Sequence, residues 1–219
     1  TNAGLAGFTV TVGAVPNVAT CNLPQTSTAN VCGVPTAPVI TATTAPDGSF
    51  SLATTPGTKM LMIGKDGTYA TLHASGTITA GANALGTFKL TALDAARQAW
   101  LTNVNNQRAT VSSPVSFGNL IVDEYAQEQA DKWAADVAAG TTTYSDAAYL
   151  PYQNAYGASG GALYGASGVL SVLPPNVSFQ TDDNGWMSEK ANCPSGNWQT
   201  CTFGPTTGHY INLSNTCLL

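Results

Sequence analysis

Hydrophobic and polar positions alternate along the first part of the chain. Phe8, Val10 and Val12 are separated by Thr9 and Thr11, the period of two that turns one face of a strand to a core and the other to solvent. Segments 40–44 and 50–52 flank Pro46-Asp47-Gly48, a turn sequence in which proline presets φ and glycine accepts a positive one. The apolar run 60–63 leads into a further turn at Lys65-Asp66-Gly67, and 77–79 and 87–90 complete the series. Short strands at this spacing predict an all-β antiparallel sandwich.

At Thr91 the period changes to that of a helix. Thr91 reads as a cap with Asp94 three residues on, and Leu93, Ala96, Trp100 and Val104 then share a face. A second helix is predicted over 119–139, stopped by Gly140, with Val122, Ala126, Ala130, Trp133 and Val137 inward and Asp123, Glu124, Glu128, Asp131 and Lys132 elsewhere. The pattern therefore divides the chain into two domains, residues 1–91 and 92–219. Segment 144–171 is rich in Gly, Ala, Ser and Tyr; its tyrosines argue for an ordered, packed loop over a linker.

Composition narrows the setting. Charged residues are 9% of the 219 positions and hydrophobic ones 43%, against roughly 25% charged in an ordinary domain. That balance suits an extracellular or cell-surface protein and argues against disorder. With a net charge of −5 and seven scattered Lys and Arg, the chain lacks the clustered basic face that nucleic acid requires. No apolar run approaches the ~20 residues of a transmembrane helix. A start at Thr1 with no signal-like segment fits a mature product whose targeting peptide has been removed. The five cysteines, Cys21, Cys32, Cys193, Cys201 and Cys217, lack zinc-ligand spacing and read as disulfide formers in an oxidising compartment. Cys21 with Cys32 and Cys193 with Cys201 are the expected pairs, although spacing alone does not fix connectivity. Cys217 is left over, unpaired or intermolecular.

Two resemblances rest on motifs. The stretch from Thr41 to Leu52, containing Pro46-Asp47-Gly48-Ser49-Phe50, followed by Pro56-Gly57, Gly67-Thr68-Tyr69 and segment 78–81, resembles the transthyretin-like, carboxypeptidase-regulatory-like domains of bacterial surface proteins. It implies a non-catalytic β-sandwich spacer or adhesion module. Toward the C-terminus, Trp186-x-x-Glu189, the cysteines 193 and 201, and Gly208-His209-Tyr210-x-x-Leu213 follow Asn105-x-x-Arg108, Tyr125-Ala126 and Ala130-Asp131-x-Trp133-Ala134. These motifs, in this order, resemble the CAP superfamily of cysteine-rich secretory, antigen 5 and pathogenesis-related proteins. That implies an α-β-α sandwich whose cleft holds two His and two Glu.

Only half of that tetrad is kept. Glu189 and His209 match; the family's other Glu corresponds to Ala158, and its other His to Tyr144. His73 belongs to the first part of the chain and does not substitute. The CAP-like part is also short at its C-terminus, where members usually continue into another strand with a cysteine. One His and one Glu make a weak metal site, so no metal, cofactor or catalytic residue is assigned, and the two are read as hydrogen-bonded to each other. Asp182-Asp183 reads as a solvated turn, and Asn176 and Asn212 fit glycosylation sequons.

Three functions follow from this reading. The first is a secreted or cell-surface, non-enzymatic protein whose degenerate cleft takes an extracellular protein or lipid. The second is a self-associating structural subunit of a filament or surface assembly, with segment 1–12 adding a strand to a neighbour's sheet. The third is a hydrolase using Glu189 and His209.

Overall fold

The alternating N-terminal segment forms a strand in the computed structural model of the chain, which describes residues 4–15, 35–65, 67–110, 122–145, 148–158, 185–197, 200–202 and 204–210. β1 (Thr9–Ala14) lies between β2 (Thr36–Thr43) and β3 (Gly57–Gly64), and β4 (Leu72–Ile78) pairs with the far side of β3. The result is one four-stranded antiparallel sheet, ordered β2-β1-β3-β4. Val10 and Val12 are buried while Thr9 is exposed, as the pleat requires. β3 carries a continuous apolar run because it is covered on both sides: Met60 is fully buried on one face, Leu61 and Ile63 on the other. β1 has a partner strand along each edge. Residues 9–12 of the segment read as a spare strand are therefore already paired within the chain.

The turn at 46–48 forms through proline and glycine as predicted. Gly48 N–H donates to Ala45 O at 2.8 Å and Ala45 N–H to Ser49 O at 2.8 Å. Gly48 takes φ +80°, and a Cβ there would lie 2.8 Å from the Gly4 backbone, so side-chain-bearing residues are disfavoured twice over.

Two of the predicted strands are not strands. Segments 50–52 and 87–90 carry no ladder, yet Phe50, Leu52, Phe88 and Leu90 pack on the core of Phe8, Val10, Val12, Leu61, Ile63 and Leu72. Their alternation reflects one-sided burial, which an irregular segment lying across a sheet face produces as readily as a strand. They cover the face that a second sheet of a sandwich would cover. Thr77 falls in β4 as predicted; Asp66, of the predicted Lys65-Asp66-Gly67 turn, lies outside the described residues.

Three helices follow: α1 (Ala95–Ala109), α2 (Glu124–Ala138) and α3 (Leu150–Ala158), with 3₁₀ turns at Glu189–Asn192 and Pro194–Gly196. Asp94, not Thr91, caps α1, accepting from Arg97 N–H at 2.8 Å. The buried stripe is Leu101, Val104 and Arg108, and Ala96 is exposed. α2 starts at Glu124 because Asp123 caps it, accepting from Ala126 N–H; of the predicted earlier start, 119–121 lie outside the described residues. Glu124, predicted to face away from the core, is instead buried with Gln127 and Trp133. Gly140 ends α2 as predicted, at φ +72°, with Gly140 N–H bonded to Val137 O and Thr141 N–H to Asp136 O, the Schellman arrangement. Among the described residues, 92–210 contain helices and irregular chain but no strand, apart from single bridges at Ala92 and Asp123.

The helices are joined to the sheet by paired polar groups. Thr71, at the foot of β4, donates its N–H to Val122 O at 2.7 Å and accepts Glu124 N–H at 2.9 Å. The Glu124 carboxylate reaches back to Thr91, accepting its N–H at 2.7 Å and its hydroxyl at 2.6 Å. His73 Nδ1 lies 2.8 Å from Asp123 Oδ2, both side chains nearly buried. Beside this joint, Ala70 from the sheet side packs with Leu93, Leu101 and Val104, flanked by Trp100, Val122, Trp186 and Met187. Contacts therefore run continuously across residue 91.

Candidate functional site

Glu189 opens a 3₁₀ turn that directly follows a helical turn at 185–188. This places Trp186 and Glu189 on one side of the segment. Across from them, a second helical turn begins at Gly208. Thr207 braces its start, its hydroxyl donating to Thr202 O at 2.7 Å, while Gly208 N–H donates to Gly204 O at 2.9 Å.

The first N–H groups of a helix have no partner within it, and Glu189 supplies one from a distance. Its Oε2 accepts His209 N–H at 3.0 Å and Tyr210 N–H at 3.2 Å. Its Oε1 lies 2.8 Å from His209 Nδ1. Facing an ionised carboxylate, which only accepts, Nδ1 is the donor, and in the neutral imidazole Nε2 is then the acceptor. Glu189 and His209 are thus hydrogen-bonded to each other, with the carboxylate also serving as a helix cap.

The imidazole is held on its flat side as well. The Trp186 and His209 rings stack with centroids 5.1 Å apart and planes within 5°. The His209 side chain remains 42% exposed, whereas Glu189 is 15% exposed, so the histidine faces solvent and the glutamate supports it from behind.

A small cystine-stapled core underlies the pair. Cys193 and Cys201 form a disulfide, as expected from their spacing. Fully buried Tyr210 packs against Cys193 with Met187 and Cys201, and its hydroxyl donates to Gly196 O at 2.8 Å. Asn192 Nδ2 ties the same loop to Thr206 O at 2.8 Å. Met187 also touches the cluster of Ala70, Leu93 and Val104, which links the site to the joint described above. An open, shallow depression lies alongside, lined by Met187, Ser188, Lys190, Cys193 and Gly196.

The other residues singled out from sequence are not assembled here. Tyr144 is exposed, in the chain leaving α2, and among the described residues no hydrogen bond or ring contact joins it to Glu189 or His209. Ala158 is the last residue of α3. Cys21, Cys32, Cys217, Asp182, Asp183, Asn176, Asn212 and Leu213 lie outside the described residues. Among the described residues, no group of three or more His, Cys, Asp or Glu side chains is placed to hold a metal ion.

Three polar arrangements were missed from sequence. One is the His73–Asp123 contact, for which Asp123 just ahead of an amphipathic run was the available signal, as an N-cap. Another is Arg108, which the sequence placed in a motif but not in the core. It is 1% exposed, and burial pushes its guanidinium down to about 10. The third is the Trp186–His209 stack, to which no linear spacing points.

No protein-family model matches the chain, and no curated protein or solved structure matches it. No helix among the described residues is long and apolar enough to cross a membrane.

Proposed function

We propose that the chain is an extracellular, non-enzymatic binding or adhesion protein, in which residues 1–91 form a transthyretin-like spacer and 92–219 a CAP-like unit with a degenerate cleft. The observation that carries this reading is the use of the Glu189 carboxylate. Three N–H donors from His209 and Tyr210 occupy it. A general base must be free to take a proton from substrate or water, and a metal ligand needs lone pairs directed at the ion. Glu189 instead holds up the turn that presents His209.

What remains for a partner is a surface: the half-exposed His209 ring backed by Trp186, beside a depression with Met187 and the Cys193–Cys201 staple at its edge. Aromatic and methionine side chains are favoured at the cores of protein interfaces. The disulfide supports an oxidising, extracellular setting.

The hydrolase reading uses the same two residues and is separated by one assay. Ester and peptide hydrolysis is measured for the wild type and His209→Ala, with and without added Zn²⁺. The binding reading predicts equal background rates for both proteins. Hydrolysis by the wild type that disappears in His209→Ala overturns it.

A further inference from the structure

Glu189 and His209 lie on two segments that one covalent bond joins. The segment after Glu189 ends in Cys193, the segment leading to His209 starts from Cys201, and these two cysteines are bonded to each other. On the Glu189 side the 3₁₀ turn runs straight into the cystine, with Cys193 N–H donating to Lys190 O at 3.1 Å. On the His209 side Thr202, next to Cys201, accepts the hydroxyl of Thr207, the residue that braces the 208–210 turn.

Tyr210 closes the circuit. Its N–H donates to Glu189 Oε2 at 3.2 Å, and its hydroxyl donates to Gly196 O at 2.8 Å, inside the loop that the disulfide closes. Its buried ring packs against Cys193. The cystine therefore touches both the support of the imidazole and the turn that carries it.

The bond is reachable and its loop is poised to respond. Cys193 borders the open depression together with Lys190, and Cys201 is partly exposed. Within the loop Ser195 takes φ +54°, alone among the described non-glycine residues in having a positive φ. Such a backbone persists only where its surroundings hold it. The sheet core around Val10, Leu61 and Leu72 contains no cysteine, so opening of the loop leaves it in place.

We propose that Cys193–Cys201 is a redox modification site, at which a low-molecular-weight dithiol reduces the bond and releases His209 from Glu189. This rests on the reading of Glu189 as cap and support. A thiolate of the dithiol attacks Cys201 Sγ; the S–S bond breaks, and Cys193 leaves as a thiolate that takes a proton from water. The second dithiol sulfur then displaces Cys201 from the mixed disulfide, forming a cyclic disulfide. Two electrons and two protons pass from dithiol to cystine. An oxidising setting keeps the bond closed and the His209 surface presented.

The test follows the His209 ring by ¹⁵N NMR and the Tyr210 amide by hydrogen exchange in the full chain, before and after dithiothreitol without denaturant. An oxidised protein that lacks the Nδ1–H form overturns the underlying Glu189 reading, and the proposal with it. With that form present, reduction is expected to abolish it and to speed Tyr210 exchange by ~10-fold or more. The strand signal in circular dichroism stays, and reoxidation restores the ring. Cys193→Ala/Cys201→Ala reproduces the reduced spectrum with no thiol added, which assigns the change to this bond. If that variant fails to fold, alkylation and mass mapping of the reduced wild type make the assignment. A ring unchanged when both thiols are shown free overturns the proposal. So does a bond that resists dithiothreitol, or a sheet signal lost along with the His209 signature.

Discussion

Glu189 and Asp136 show how single side chains hold distant segments together. With the Glu189 carboxylate accepting His209 N–H and Tyr210 N–H across 20 residues of chain, Glu189→Ala leaves the start of the 208–210 turn uncapped and the imidazole without its partner. The expected loss is about 1–2 kcal/mol in urea unfolding, the scale of a lost cap or hydrogen bond at a partly buried site. Asp136 acts on a smaller span. Hydrogen bonds from Lys132 and from the Tyr152 hydroxyl hold its carboxyl below the ordinary value of 3.8. A depressed folded value means the stabilisation is present above 3.8 and is lost as pH falls through the lower folded value. Stability should therefore fall less steeply with acid in Asp136→Asn than in the wild type below pH 3.8, measured by thermal unfolding in a pH series.

At the scale of elements, what was legible depended on which force shaped each segment. β1 was readable because a half-buried strand writes a period of two, and the α2 stop because Gly140 takes a left-handed conformation that few other residues adopt. The same period misled at 50–52 and 87–90, where Phe50, Leu52, Phe88 and Leu90 cover a sheet face without joining it. Helix starts were misplaced for a related reason. Thr91 and Glu124 look like a cap and a solvent-facing acid, yet they bond to each other, a pairing between residues 33 positions apart that no local pattern records. Within the candidate site, Glu189, His209 and the 193–201 disulfide were recoverable from motif and spacing. The Trp186 stack and the capping role of Glu189 were not, because both depend on how two separate turns meet.

For the whole molecule, the joint between sheet and helices sets the expected unfolding behaviour. Ala70 packs with Leu93, Leu101 and Val104, and His73 and Thr71 bond to the start of α2. Burying a side chain such as Leu101 or Val104 contributes roughly 1.5–3 kcal/mol, and that contribution needs both sides of the contact in place. All four tryptophans lie beyond residue 91, so their fluorescence reports the helical part, while the strand signal in circular dichroism reports the sheet. The two denaturation curves are expected to coincide, and His73→Ala is expected to shift both together by about 1–3 kcal/mol, because it removes the partner of Asp123 Oδ2 at the joint. Separate transitions, or a shift in only one curve, would contradict a shared core.

The central claim is that Glu189 supports His209 as a cap and positioning group and is not a free catalytic carboxylate. Its most direct test is the ¹⁵N NMR signature of the His209 ring in the neutral state. The carboxylate at Nδ1 predicts the Nδ1–H tautomer in the wild type, lost in Glu189→Ala. A wild-type ring carrying its proton on Nε2, with no change on removing Glu189, would contradict the account.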